Sequence, residues 1–123
     1  MPDFVLRGTP PSKKNSKIIS CVGTRPRLFP SKTYVAWHKE ALVQLKDQKV
    51  KPEKHKEIRT ITLTFFSKDK RKYDLTNKAE SVMDLLVDYG FIEDDNFAVL
   101  SCIQLVYGGM SKTAPRVEVE YNV

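Results

Sequence analysis

The 123 residues allow one domain, long enough for a real hydrophobic core and too short for two. A hydrophobic content of 41% with 29% charged residues is ordinary for a globular chain and argues against disorder. Lys and Arg number 21 against 15 Asp and Glu, and the resulting net charge of +6 points to nucleic acid as partner.

The charge is unevenly spread. Basic residues gather in Lys13–Lys17, Arg25–Lys32, Lys46–Lys56 and Lys68–Lys72, and carboxylates gather between 74 and 95. Cys21 and Cys102 lie in apolar, strand-like runs without C-x-x-C spacing, so buried free thiols are expected rather than a disulfide or metal ligands. His38 and His55 are paired neither with the cysteines nor with each other, and zinc is not expected. No apolar run reaches the length of a membrane span and no signal-peptide segment opens the chain. The expectation is a soluble protein of a reducing, cytoplasmic compartment.

In chain order, Phe4-Val5-Leu6 before Gly8 reads as a short strand. Thr9 to Lys17 contains Pro10 and Pro11, which fix φ and remove donors, so it reads as a basic loop. Ile18–Val22 and Arg25–Phe29 around Gly23-Thr24 suggest a small hairpin, confined by its prolines to an edge. Ser31 suits an N-cap, and helix is expected from Lys32 to Lys46 with Tyr34, Trp37, Ala41 and Leu45 on the buried face. At that spacing the aromatic stripe is core rather than a stacking platform. A polar, Pro52-broken connection follows. Ile58–Phe66 is the clearest strand, with Ile61, Leu63 and Phe65 on one face and Thr60, Thr62, Thr64 and Phe66 on the other.

A second helix begins after Asp74 and ends at Gly90, with Leu75, Ala79, Val82, Leu86 and Tyr89 on one stripe. Phe97–Tyr107 and Pro115–Tyr121 are expected as two strands joined through Gly108-Gly109. The order describes an α+β domain over 1–123, a single mixed sheet carrying two helices.

The chemistry concentrates between Lys68 and Asp95. The run Lys68-Asp69-Lys70-Arg71-Lys72 leads into Asp74, and the helix beyond it ends before Glu93-Asp94-Asp95. Carboxylates beside cationic side chains suit a hard divalent ion acting on a polyanion, with oxygen ligands for the ion and Lys or Arg for phosphates. The bland alternative is a solvated, charge-rich helix in which Asp74 is an N-cap. Asn77, Glu80, Asp84 and Asp88 form a polar stripe of the kind any half-buried helix must show. A nucleophile elbow, a cysteine–histidine pair and a Gly-rich phosphate loop are all absent, so no small-molecule cofactor is expected.

Three segments together, Pro10-Pro11-Ser12-Lys13-Lys14-Asn15, Asp74-Leu75-Thr76-Asn77 and Gly90-Phe91-Ile92-Glu93-Asp94-Asp95, resemble the RusA-type Holliday-junction resolvases. The resemblance runs without a gap from Asp74 to Asp95 and in outline along nearly the whole chain. It implies a dimeric, Mg²⁺-dependent endonuclease, with Mn²⁺ a plausible substitute, that cuts branched four-way DNA and is typical of phages and prophages. The family pattern reads D-L-D-N, and its two Asp and the last Asp of the D-D pair fall on Asp74, Thr76 and Asp95. The family lysine falls on Glu80. Two positions therefore depart, while Glu80 restores a carboxylate and Lys78 an ammonium. The resemblance thus implies a variant site with Asp74, Glu80 and Asp95 on the metal, Asp94 in reserve, and Lys78 or Lys72 stabilising charge on the phosphate. Lys13, Lys14, Asn15, Lys70, Arg71 and Lys72 are expected to clamp the DNA backbone. The rival expectation is a catalytically weakened relative that binds DNA or acts as a regulator.

Overall fold

A computed structural model describes residues 2–12, 17–22 and 25–123, with 17–22 and 25–30 described by their backbone pairing alone. The elements in chain order are β1 (Phe4–Arg7), β2 (Lys17–Val22), β3 (Arg25–Pro30), α1 (Lys32–Asp47), β4 (Thr60–Ser67), α2 (Leu75–Tyr89), β5 (Ile103–Met110) and β6 (Arg116–Asn122). Four strands form a mixed sheet in the order β1-β6-β4-β5, with β4 and β5 parallel and the other neighbours antiparallel. The expected mixed sheet with two helices is present, and β2 and β3 pair with each other as a separate two-stranded sheet.

Alternation decides which face is covered. Ile61, Leu63 and Phe65 of β4, Val117 and Val119 of β6, and Phe4 and Leu6 of β1 are all buried. The registers place them side by side, Leu63 beside Val119 and Val119 beside Phe4. Against them pack Ala41 and Leu45 of α1 and Ala79, Val82, Met83, Leu85 and Leu86 of α2. Thr62, Thr64 and Phe66 point to the other face, where the Arg116 guanidinium stacks 4.0 Å from the Phe66 ring centroid.

Ser31 caps α1, its hydroxyl accepting from the Tyr34 N–H at 3.2 Å. Two glutamines of this helix region do work that periodicity did not disclose. Gln44 Oε1 accepts from the Arg7 N–H at 2.6 Å, and Gln48 Oε1 accepts from the Val5 N–H at 2.8 Å while its Nε2 donates to the Val5 carbonyl at 2.6 Å. They satisfy the outer edge of β1, which would otherwise be an open template for another strand. α2 ends at Gly90, whose φ of 87° lies in the left-handed region that glycine enters without strain. His38 Nε2 and Asp88 Oδ2, 2.9 Å apart, join the two helices.

The strand expected over 97–107 lies instead at 103–110. Asn96 explains the late start: its side-chain oxygen accepts from the N–H groups of Ala98 (3.0 Å) and Val99 (3.3 Å), and its carbonyl accepts from Leu100 at 2.9 Å. Those donors close a turn and are lost to a ladder. The late end belongs to Gly108-Gly109, which lies inside β5 rather than in the reversal. A Cβ on Gly108 would stand 2.6 Å from the Phe66 ring, so only glycine lets the strand pass there. Cys102, expected to be buried, is an exposed free thiol just ahead of β5, and the Cys21 side chain lies outside the described residues.

Candidate active site

The segment between β4 and α2 is built on Ser67, the buried last residue of β4. Its hydroxyl donates to the Asp69 carbonyl at 3.0 Å and lies 2.7 Å from the Tyr107 hydroxyl. A hydroxyl has one proton to give, so Tyr107 is the donor in the second bond. Asp69 turns onto Arg71, accepting from its backbone N–H at 3.0 Å and its Nε at 3.3 Å. The backbone bond, then the guanidinium charge, hold the Asp69 carboxyl below its usual range. Lys70, Arg71 and Lys72 remain exposed.

Asp74 is the N-cap of α2, with Oδ1 accepting from the Thr76 N–H at 3.0 Å and the Thr76 hydroxyl at 2.6 Å. Thr76, which stands where the family has a second Asp, is thus bound to the first. Lys78 sits one turn further along, half-buried, its ammonium 5.1 Å from the Tyr73 ring centroid. Burial lowers the Lys78 pKa and raises that of Tyr73, to which the neighbouring Tyr107 adds. Glu80 is exposed and has no hydrogen bond or ion pair among the described residues.

Two cavities open here. One of about 280 Å³ is lined by Thr9, Lys68, Arg71, Lys72, Tyr73 and Lys78 among others. The other, of about 380 Å³, is lined by Ser67, the Lys70–Lys72 run, Tyr73, Leu75 and Tyr107. The Pro10-Pro11 loop is fastened nearby: both prolines are buried, and the wholly buried Ser81 of α2 donates to the Pro11 carbonyl at 2.6 Å. The first sequence segment is therefore tied to α2, the helix that Asp74 caps. Lys13, Lys14 and Asn15 themselves lie outside the described residues. Ser67, Tyr73 and Tyr107 were not singled out from sequence; a tyrosine next to a basic run was the available signal.

The acidic turn lies elsewhere. Asp94 Oδ1 accepts from the Asp95 N–H at 2.8 Å and Oδ2 from Asn96 Nδ2 at 3.0 Å, and the Asp95 N–H is the main reason its pKa is lowered. Glu93, Asp94 and Asp95 are exposed. α2 runs for 15 residues, about 22 Å, between Asp74 and this turn. The bridges His55–Ile92 and Ile58–Leu100 hold the turn's two ends beside the chain leading into β4, whereas Asp74 follows the far end of that strand. Within one chain the two carboxylates therefore flank opposite ends of the parallel strand pair. Among the described residues no three His, Cys, Asp or Glu side chains are grouped to hold a metal ion. Asp74, Glu80, Asp94 and Asp95 thus form no such group among the described residues.

A cationic, tyrosine-walled cleft at the mouth of a β–α–β unit, with Asp69 in its lining, has the chemistry that suits a phosphodiester backbone. The family model for endodeoxyribonuclease RusA matches residues 8–121, and the chain belongs to that family. It is an endodeoxyribonuclease, a hydrolase that acts on Holliday junctions in DNA recombination and repair, and nucleases of this family are generally metal-dependent. No curated protein matches the chain. Among the described residues, no helix is long and apolar enough to cross a membrane.

Proposed function

We propose that the chain cleaves four-way DNA as a homodimer with Mg²⁺, using Asp74, Glu80, Asp94 and Asp95 as carboxylates and Lys78 as a cationic partner of the scissile phosphate. Asp74 carries the reading. It lines neither cavity itself, but its sequence neighbours do, Tyr73 both and Leu75 the larger, so a phosphate held by Arg71, Lys72 and Lys78 would lie near it. Glu80 is about 9 Å along the helix axis from Asp74 and about 120° round it. Its side chain leans back toward the N-terminus, as helical side chains do, which shortens that gap. Lys78 is held by burial and by the Tyr73 ring, and its ammonium supplies positive charge without a long reach from solvent. Lys70, Arg71 and Lys72, with Lys13, Lys14 and Asn15 beyond the Ser81-anchored loop, grip the backbone without reading bases.

Support for the dimer comes from β5. It is an edge strand, next to β4 alone, and Ile103, Val106 and Met110 are all at least 42% exposed. Antiparallel pairing with the β5 of a second copy sets the start of each strand beside the end of the other. The acidic turn that precedes β5 then approaches the basic segment and Asp74 that follow β4 of the other copy. Opposite charges meet, and the carboxylates that one chain keeps apart converge.

The test is cleavage of a labelled four-way junction and of linear duplex, with and without Mg²⁺. Symmetric, Mg²⁺-dependent nicks in the junction are expected. Tight junction binding with no cleavage at any Mg²⁺ or Mn²⁺ concentration would establish the weakened, DNA-binding relative instead.

A further inference from the structure

We infer that the two adjoining cavities form a nucleotide site, the smaller for a backbone phosphate and the larger for its unstacked base. The inference rests on the DNA-binding reading above and adds a ligand class that a backbone clamp does not need.

The partition between the cavities is Tyr73, which lines both. On the smaller side are Thr9, Lys68 and Lys78, and the Lys78 ammonium covers one face of the Tyr73 ring. On the larger side are Leu75 and Tyr107. Arg71 and Lys72 border both, as a phosphodiester leading from one to the other requires. The carboxylate of Asp69 also borders both, but it is bonded to Arg71 and so does not stand alone against a phosphate.

Tyr107 is the feature that calls for a ligand. It is 54% exposed, yet its hydroxyl is bonded at 2.7 Å to the buried Ser67, whose own proton is given to the Asp69 carbonyl. The ring is therefore fixed at its tip while its face is left to solvent. A fixed, exposed aromatic face beside cations is what a base-stacking platform requires, and it costs little ordering on binding. The cavity of about 380 Å³ falls at the small end of the range of organic-ligand sites, adequate for a single base and too small for a stacked pair of nucleotides. Exposing a base costs unpairing and unstacking, and at the crossover of a four-way junction, where continuous stacking is interrupted, that cost is lower than within a duplex.

The experiment uses the full chain in EDTA, so that cleavage plays no part. The probes are a dT oligonucleotide with one central 2-aminopurine and a four-way junction with 2-aminopurine at the crossover. Wild type is expected to quench 2-aminopurine in both probes, and Tyr107→Phe and Tyr107→Trp to retain the quench. Tyr107→Leu is expected to abolish it and to weaken single-strand binding by about 5- to 100-fold, since one base–aromatic stack is lost. Arg71→Ala with Lys72→Ala should weaken binding yet leave the quench at saturation. If Tyr107→Leu unfolds, Tyr73→Leu serves in its place and is expected to behave alike. A Tyr107→Leu protein, folded by circular dichroism, that quenches and binds as wild type overturns the site. Absence of Mg²⁺-dependent junction cleavage by the wild type in a parallel assay without EDTA, with the quench intact, would count against the nuclease reading alone.

Discussion

At Asp74 the observed N-cap role and the proposed catalytic role fall on one side chain. The cap bonds both end on Oδ1, and asparagine caps helices as well as aspartate does, so Asp74→Asn keeps the fold. Asp74→Asn and Asp95→Asn are each expected to lower junction cleavage on the order of a hundredfold or more, with junction affinity equal or higher because repulsion toward phosphate falls. Full activity in either mutant, measured in single-turnover assays, would remove that residue from the site. Glu80 is the sharper case, since among the described residues it has no bond that explains it. If it replaces the carboxylate missing at Thr76, Glu80→Gln cuts cleavage on a similar scale while unfolding in urea is unchanged. As a mere surface residue it would shift stability within about half a kcal/mol and leave the rate alone.

Elements place these residues by bonds that lie away from the chemistry. Ser81 is wholly buried, and its hydroxyl is what ties the Pro10-Pro11 loop to α2. Ser81→Ala leaves the Pro11 carbonyl without that donor, at a cost of about 1–3 kcal/mol read from urea denaturation. Because Lys13 and Lys14 follow directly on this loop, DNA affinity should fall and its salt dependence flatten, although no cation has been removed. An unchanged salt slope would mean that the loop lysines do not touch phosphate.

For the whole molecule the question is whether one chain suffices. Asp74 and Asp95 flank opposite ends of the β4–β5 pair, so a site that needs both takes them from two copies. Asp74→Asn and Asp95→Asn proteins, each dead alone, should regain activity when mixed and allowed to exchange. Heterodimers then hold one site with both carboxylates intact, about a quarter of the wild-type number at equal mixing. The same mixture should regain Mn²⁺ binding by electron paramagnetic resonance. A mixture as inactive as its components, with exchange verified by mass, would require both carboxylates to act within one chain.

Sequence by itself determined the elements whose signals are local. The alternation of Ile61, Leu63 and Phe65, the Ser31 and Asp74 caps and the Gly90 stop depend on neighbours within a turn or a strand, and each stands where it was expected. The family motifs are local too, which is why the nuclease assignment was legible before any coordinate. The tertiary structure decided what depends on distant partners. Gln44 and Gln48 are polar helix residues until β1 lies beside them, and Gly108-Gly109 looks like a turn until the Phe66 ring occupies the space a Cβ would need. Asp74 and Asp95 look like one site until the length of α2 and the parallel crossover carry them to opposite ends of the sheet. A residue's own pattern cannot encode such facts, because the physical cause lies in side chains and strands dozens of positions away.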